Sequence, residues 1–592
     1  MTPSLDAKTS TLISIKQRIR GLIDIALSAL EGIIPRDQEE VDIHLERARQ
    51  RQHGDFACNV ALVYAKAVGM KPRDLASQIV RHLPASDVVD RVEIAGPGFI
   101  NFHLAKAALY GVIAQVHAAG EVYGHCDIGE RRRILVEFVS SNPTGPLHVG
   151  HGRGAAYGDA LVRVLRAAGF AADSEYYVND AGRQMDILTL SVWLRYLQLR
   201  GHEVEVPDNA YQGDYLRAIA NEWRRGNYGD PCPPAHDLFD GLGDAPEERL
   251  DTLIERCQQT LGEDTYQQLF TFTRDALVED IQHDLQDFGV RYDNWFFESQ
   301  LVDSAAVTRA FDVLKKNGYL YLADGAWWFR STKFGDEKDR VVKRANGNFT
   351  YFASDIAYHL DKAERGYQTL INIWGADHHG YLARVKGAFG ALGCRPEDLV
   401  VLFVQFAVLY RSGEKVSMST RGGEFVSLRH LRQEVGNDAA RFFYTLRKPE
   451  QHMDFDLDLA KSQSSDNPVY YVQYAHARVC SVFRQLVERG LADEWQQSAD
   501  YALLTEDHEM DLLASLTRFP DVVEAAALAY EPHQVAYYLR ELANDFHTYY
   551  NAHPFLASEP DLRDARLGLI DATRQVIANG LCLLGVSAPE SM

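Results

Sequence analysis

No stretch of this 592-residue chain approaches the roughly 20 uninterrupted apolar residues that a membrane-crossing helix needs. Met1 to Arg20 has no apolar core followed by a small-residue cleavage site. Membrane insertion and export are therefore not expected, and the chain is read as cytoplasmic. Cysteine is sparse and unpaired: Cys58, Cys126, Cys232, Cys257, Cys394, Cys480 and Cys582 are scattered, odd in number and without a Cys-x-x-Cys spacing. This argues against a disulfide framework and against zinc, and leaves free thiols in a reducing compartment. Positive charge is also in deficit, with 61 Lys and Arg against 83 Asp and Glu, a formal charge of −22. That balance argues against broad, non-specific attraction to nucleic-acid phosphate. A specific RNA partner would have to meet local clusters such as Arg131 to Arg133, Lys338 to Arg344 or Arg441 to Lys448, each of which reads first as solvated surface charge.

What is present is ordinary globular material, 46% hydrophobic and 24% charged, in a chain too long for one hydrophobic core. Two to four domains are expected. Residues 1–122 read as a small α+β unit, with amphipathic helices near Leu12–Leu30 and Arg73–Leu83 and alternating apolar residues in Val92–Leu104. A Gly-rich linker follows, and then a βαβ signal. Ile134–Val139 is an apolar run of strand length, Asn142–Pro146 a Pro/Gly loop, Gly154–Ala168 a helix closed by Gly169, and Tyr176–Val178 the next strand. Further strands are expected at Thr369–Trp374, with a helix after His379, and at Val400–Leu409. These place a parallel-sheet domain over 123–455, interrupted by a mainly helical, acidic insertion at about 190–317. From 456 to 592 the pattern is helix after helix. The fold expected is multidomain: an α+β front, a Rossmann-like α/β centre and an all-α bundle.

The sharpest chemical feature is His148-Val149-Gly150-His151, set after the first strand and its loop and directly before a helix. Histidines three apart at a helix start share one face. The unpaired N–H groups and partial positive charge of that helix end suit a phosphate chain, to which the imidazoles would donate. Gly150 would let an adenine ring lie close to the backbone. Taken alone, His-x-x-His is a weak signal.

Its context is not weak. The run from Glu137 through Ser140, Asn142 and His148-Val149-Gly150-His151 to Arg153 resembles, nearly residue for residue, the first (HIGH) signature of class I aminoacyl-tRNA synthetases in its bacterial arginyl form. Gly413-Glu414-Lys415-Val416-Ser417-Met418-Ser419-Thr420-Arg421 resembles the second (KMSKS) signature imperfectly. Aligned on Met418 and Ser419, both lysine positions are replaced, by Ser417 and Thr420. Lys415 and Arg421 are the cations left to meet pyrophosphate, and the choice between them stays open. An amino acid carboxylate is already a nucleophile, so its attack on ATP needs alignment and charge stabilisation more than a base. His148, His151 and Lys415, with Arg421 in reserve, are the residues taken to supply these.

A pocket for a guanidinium should hold carboxylates for forked contacts and an aromatic face. Tyr351 and Asp355 fall at i and i+4, on one face if their segment is helical. The resemblance implies that Tyr351, Asp355, Glu137, Ser140 and Asn142 contact arginine. It implies that Gly150, Gly375, Asp377, His378, Met418 and Ser419 lie by ATP. It also implies Mg²⁺ with ATP as substrate, and no metal is expected to be bound by the protein itself. The sequences Asp438-Ala439-Ala440-Arg441 and Asn467 to Arg478 resemble the start of the family's helical anticodon-binding domain, and Tyr549 to Asn551 and Ala588 to Met592 its far end. Tyr471, Tyr550 and Met592 are thereby implied to meet tRNA, as are Phe99 and Asn101 in the N-terminal segment. For any one tyrosine, core packing is the competing reading. The expected partners are L-arginine, ATP and tRNA(Arg), with the chain acting as a monomer and activating arginine in the presence of tRNA.

Other class I synthetases share the ATP signatures, but zinc ligands of the cysteinyl kind and room for the large editing insertion of the isoleucyl, valyl and leucyl enzymes are lacking. A small-molecule adenylating ligase would lack the helical tail. A catalytically silent RNA-binding relative is the reading from another class, suggested by the missing loop lysines and opposed by the intact His-x-Gly-His.

Overall fold

A computed structural model describes residues 14–30, 43–48, 53–226, 238–303, 305–416, 426–495 and 499–592. Two compact units divide the chain, one of Met1–Glu130, Ala167–Gly169 and Ser464–Met592, the other of Arg131–Arg166 and Phe170–Gln463. Segments read from sequence as separate first and last regions thus share one unit. Among the described residues no helix is long and apolar enough to cross a membrane.

The first unit holds a four-stranded antiparallel sheet, in the order Leu45–Arg47, Phe56–Cys58, Phe99–Leu104 and Val89–Ala95. The leading helix, Ile15–Ser28, starts where Ser14 and Gln17 form a reciprocal capping box. Its later part is a bundle of Pro468–Glu488, Asp507–Leu528, His533–Ala552 and Pro560–Leu583. Asn467 caps the first of these, with Pro468 at its opening position, where a missing N–H costs nothing. Pro520 lies inside the second helix and withdraws the N–H that the carbonyl of Leu516 would have received. The buried Tyr123 hydroxyl donates to that carbonyl at 3.1 Å, so it is not left unpaired.

The second unit is built on five parallel strands: β1 (Arg133–Phe138), β2 (Ala171–Val178), β3 (Asn294–Phe297), β4 (Thr369–Gly375) and β5 (Leu399–Val404). Their order is β5-β4-β1-β2-β3. The chain therefore reverses direction between β1 and β4, and the carboxyl ends of these neighbours form the crevice where ligands of doubly wound sheets bind. Helix α1 (Val149–Ala167) leads from β1 to β2, and α2 (Arg183–Leu199) follows β2. Helices α3 (Tyr351–Glu364) and α4 (Leu382–Ala391) flank β4. With α2, the helices Tyr215–Arg225 and Pro246–Asp287 share a core around Trp193, Trp223 and Leu253.

Four sequence expectations are altered here. The segment 190–317 is not wholly an insertion, because Asn294–Phe297 pairs with β2 as the edge of the main sheet. The run Val400–Leu409 is not one strand. It breaks after Val404, where the Gln405 N–H turns to the carbonyl of Pro449, and Ala407–Arg411 joins a separate small sheet with Glu414–Lys415 and Met453–Asp456. The break is held by buried Arg153 of α1, whose guanidinium donates at 2.8 Å to the carbonyls of Gln405, Lys448 and Gln451. Asp438–Arg441 lies in this second unit, on the helix Asn437–Thr445, and not in the terminal bundle. Nor does Arg441 belong to a basic surface patch, since it is buried and bonds Asp159 of α1 and the Phe288 carbonyl. A charge cannot be left unpaired inside a core, and this pair ties α1 to a helix 282 residues away in sequence.

Candidate functional site

At the carboxyl end of β1 the backbone turns sharply, with Val139 at φ 67° and Ser140 at φ 42°. A β-branched residue in the left-handed region is costly and persists only when its surroundings impose it. They do: the Tyr292 hydroxyl donates to the Phe138 carbonyl (3.0 Å), the Tyr177 N–H to Ser140 Oγ (3.1 Å) and the Tyr176 hydroxyl to the Ser141 carbonyl (2.9 Å). Asn142 follows and donates to Gln184 on α2 at 2.7 Å.

The turn delivers His148 and His151 to the start of α1 with their rings stacked at 3.7 Å. The Gly150 N–H points at Nδ1 of His148 (3.1 Å) and the His148 N–H at Nδ1 of His151 (3.3 Å). A ring nitrogen facing an N–H must be unprotonated, so each neutral imidazole carries its hydrogen on Nε2. Burial lowers both pKa values, that of His151 to about 3 with help from the neighbouring ring. Both rings are therefore neutral Nε2–H donors at pH 7, and not cations. Gly150 is required by crowding: an added Cβ would stand 2.7 Å from the His148 ring and 2.9 Å from that of Phe406.

The segment that follows the second signature pairs with the first. The Val149 N–H donates to the carbonyl of Val426, the Leu428 N–H to that of Leu147, and His148 bridges Ser427. Met418, Ser419 and Arg421 lie outside the described residues. Lys415 lies within them, on the short strand Glu414–Lys415. It ends a hairpin, opposite Tyr410, across a turn in which Ser412 and Gly413 both have positive φ. That turn type matches strand twist, and Asp458 fastens it by accepting the Ser412 N–H at 2.7 Å.

Beside β1, the end of β4 carries Gly375, Asp377 and His378. The segment Ala376–Tyr381 is a short 3₁₀ turn, with α4 beginning only after it. Asp377 and His378 are exposed and 3.7 Å apart, while His379 stacks on Phe403 at 4.5 Å.

Helix α3 brings Tyr351 and Asp355 onto one face. Tyr351 is 58% exposed. Asp355 accepts a hydrogen bond from the Tyr381 hydroxyl, and its pKa is raised to about 7, first by burial, then by Glu298 and Glu137, with Tyr381 and Lys362 opposing. Glu298, just beyond β3, is buried beside Tyr177 and Ser354 and is likewise raised, chiefly by burial. Glu137 already has a partner, the buried Lys362, whose Nζ is 2.5 Å from Oε2. Sequence reading missed Glu298, Lys362 and Phe406. The first two lie in segments with no signature, and Phe406, 48% exposed beside Gly150, lies in a run read as core strand.

In the first unit, Phe99 is exposed whereas Asn101 of the same strand is buried. Tyr471 packs on His547 at 4.4 Å and lines an open cleft of about 800 Å³ with Arg518 and Arg540. The Arg478 guanidinium lies 4.5 Å from the Tyr474 ring and 4.6 Å from that of Tyr550. Met592 is exposed.

Three family models match this chain: an arginyl tRNA synthetase N terminal domain over 15–104, a class I (R) tRNA synthetase catalytic domain over 113–223 and 244–454, and a DALR anticodon binding domain over 472–592. The arginine–tRNA ligase of Thioalkalivibrio sulfidiphilus is 58% identical over 98% of this chain and 100% of its own. That of Halorhodospira halophila is 56% identical, again over 98% and 100%. The chain belongs to the arginyl-tRNA synthetase family. The arginyl-tRNA synthetase structure of Thermus thermophilus, 23% identical, shares the fold with a TM-score of 0.72 over 98% of this chain and 100% of that one. Membership agrees with the switch-point crevice and its paired signatures.

Proposed function

We infer that the carboxyl edge of the central sheet is where this enzyme activates L-arginine, and that Asp355 receives the guanidinium. As an arginine–tRNA ligase it works in two steps. The arginine carboxylate attacks the α-phosphorus of ATP and pyrophosphate leaves. A hydroxyl at the tRNA 3′ end then attacks the arginyl-adenylate carbonyl, and AMP departs. ATP brings Mg²⁺ on its phosphates as part of the substrate.

The observation that carries the pocket reading is the acidity around Asp355: two carboxylates, the half-buried Asp355 and the buried Glu298, both raised in pKa, with the cation of Lys362 already engaged on Glu137. Such a site is costly when empty, and a bound guanidinium relieves that cost. Tyr351 supplies an aromatic face, and Glu137, Ser140 and Asn142 frame the strained turn below. We assign the Nε2–H groups of His148 and His151 to the phosphoryl oxygens, with Gly150, Phe406, Gly375, Asp377 and His378 around the adenosine. Met418 and Ser419 belong with that set by the family pattern. Phe99, Tyr471, Tyr550 and Met592 are proposed tRNA contacts, with Asn101 buried in support of the strand that carries Phe99. The acting form is taken as a monomer in the cytoplasm, and light scattering across a concentration series would expose a dimer.

Pyrophosphate exchange with each of the twenty amino acids, with and without tRNA, tests the reading. Exchange confined to arginine is expected, and exchange driven equally well by another amino acid would overturn the pocket assignment.

The raised pKa of Asp355 sets the sign of a pH effect. A bound cation favours the ionised carboxylate, so binding releases a proton wherever the free enzyme holds one. Arginine affinity should be full above about pH 7 and fall below it by up to roughly tenfold per pH unit, while the ATP KM stays flat. Measuring both KM values over about pH 5.5 to 8.5 checks this.

For the leaving pyrophosphate we propose Lys415, the exposed cation that ends the hairpin. Lys415→Met is expected to slow activation by about one to three orders of magnitude with ATP affinity nearly unchanged, because the charge counts only as the phosphates separate. A crippled Arg421→Met beside a nearly normal Lys415→Met would pass the role to Arg421.

A further inference from the structure

Strand register lines up four polar residues across the middle of the sheet: Asn294 on β3, Glu175 on β2, Glu137 on β1 and Asn372 on β4. Residues in register across parallel strands face the same side, and α3 covers this row. Arg365 forks onto Glu175 at 2.6 and 2.9 Å, and Glu175 also accepts from Tyr358 (2.7 Å) and Asn294 (2.5 Å). Lys362, 1% exposed, donates to Glu137 and, at 3.0 Å, to Asn372 Oδ1, with its ammonium 4.1 Å from the Tyr358 ring. Each buried carboxylate of the row thus has its own cation. Asp355, two helical turns before Lys362 on the same face, has none among the described residues.

We propose that Lys362 is a positioning residue for arginine selection: an internal cation, fixed on Glu137, that cancels the charge behind Asp355 and leaves Asp355 as the place where the substrate's cation is received. This rests on the assignment of Asp355 to the guanidinium. The groups bearing on Asp355 are Glu137 from β1, Glu298 from beyond β3, Tyr381 from the 3₁₀ turn, and Lys362 from its own helix. Arg340 and Arg384 act on Tyr381. His359 meets the Asp355 carbonyl through Nδ1 and is held neutral by burial. Of these, Lys362 is the cation that opposes the repulsion of Glu137 and Glu298. Removing it exposes Asp355 to the full charge of Glu137, a change that methionine makes while keeping much of the side chain's length.

The test follows the pH midpoint of arginine binding to the full-length enzyme by calorimetry. In wild type the midpoint is expected near pH 7. Lys362→Met should raise it by about one pH unit, on the scale of one charge added near a partly buried carboxylate, with ATP binding unchanged. In the double variant Lys362→Met/Glu137→Gln both charges go, and the midpoint should return close to that of wild type. Glu137→Gln alone leaves Lys362 unpartnered and should lower it, which keeps the test open if Lys362→Met does not fold. A lysine that merely holds the helix in place would weaken binding without moving the midpoint, and the double variant would bring no recovery; either result overturns the proposal. A wild-type profile with no midpoint near pH 7 would instead defeat the Asp355 assignment itself.

Discussion

Asp355→Asn should raise the arginine KM by roughly two orders of magnitude or more and leave the ATP KM nearly unchanged. The substitution keeps the shape of the side chain and an oxygen for the Tyr381 hydroxyl, but removes the charge that a guanidinium needs in a partly buried site. Breaking a buried pair by removing one partner typically costs about 3–5 kcal/mol, because the other charge is left uncompensated. The structure adds a second expectation. Burial and the nearby Glu298 and Glu137 hold this carboxyl partly protonated near neutral pH, so the wild-type protein carries it at a cost until arginine arrives. Without arginine the variant should melt no earlier than wild type, and arginine, which raises the wild-type melting temperature, should no longer do so. Thermal unfolding with and without arginine separates this from a folding defect, and an unchanged arginine KM would remove Asp355 from the pocket.

Loss of either signature histidine should act on rate and hardly on ground-state binding. His148→Ala and His151→Ala each remove one preorganised donor to charge that grows as pyrophosphate leaves, a loss of about 2.7–4 kcal/mol, or a hundredfold and more in adenylate formation. The backbone N–H groups on Nδ1 refine the prediction. A glutamine amide nitrogen reaches toward the Nε2 position and an asparagine one toward Nδ1, so His151→Gln should retain more activity than His151→Asn. Because His151 stays neutral down to about pH 3, its own titration should leave no step in the single-turnover rate between pH 5 and 8. Single-turnover rates equal to wild type in both alanine variants would show that the phosphates lie elsewhere.

The legible features were those written in consecutive residues. β1 was readable because its apolar run ends at a Pro/Gly loop, and α1 because glycine closes it. The two signatures were readable because an ATP site at a strand-to-helix turn needs its residues side by side in the chain. The pair Tyr351 and Asp355 was readable for the same local reason, four residues being close to one turn of α3. The break after Val404 was not, since nothing in an apolar run announces that Arg153, some 250 residues earlier, will draw its carbonyls aside.

From the sequence alone came the family resemblance, the turn proposed to bind phosphate and the candidates for the proposed arginine pocket, each read from spacing within its own segment. The tertiary structure decided which of those candidates is electrostatically unsatisfied. Glu137 meets Lys362 across 225 residues, and Asp355 faces Glu298 from another strand end, because sheet register and the docking of α3 put them there. It also turned Arg441 inward onto Asp159 and set Lys415 on a hairpin. A charge's partner is chosen by packing in three dimensions, and burial then fixes its protonation, so neither can be read from the order of residues along the chain.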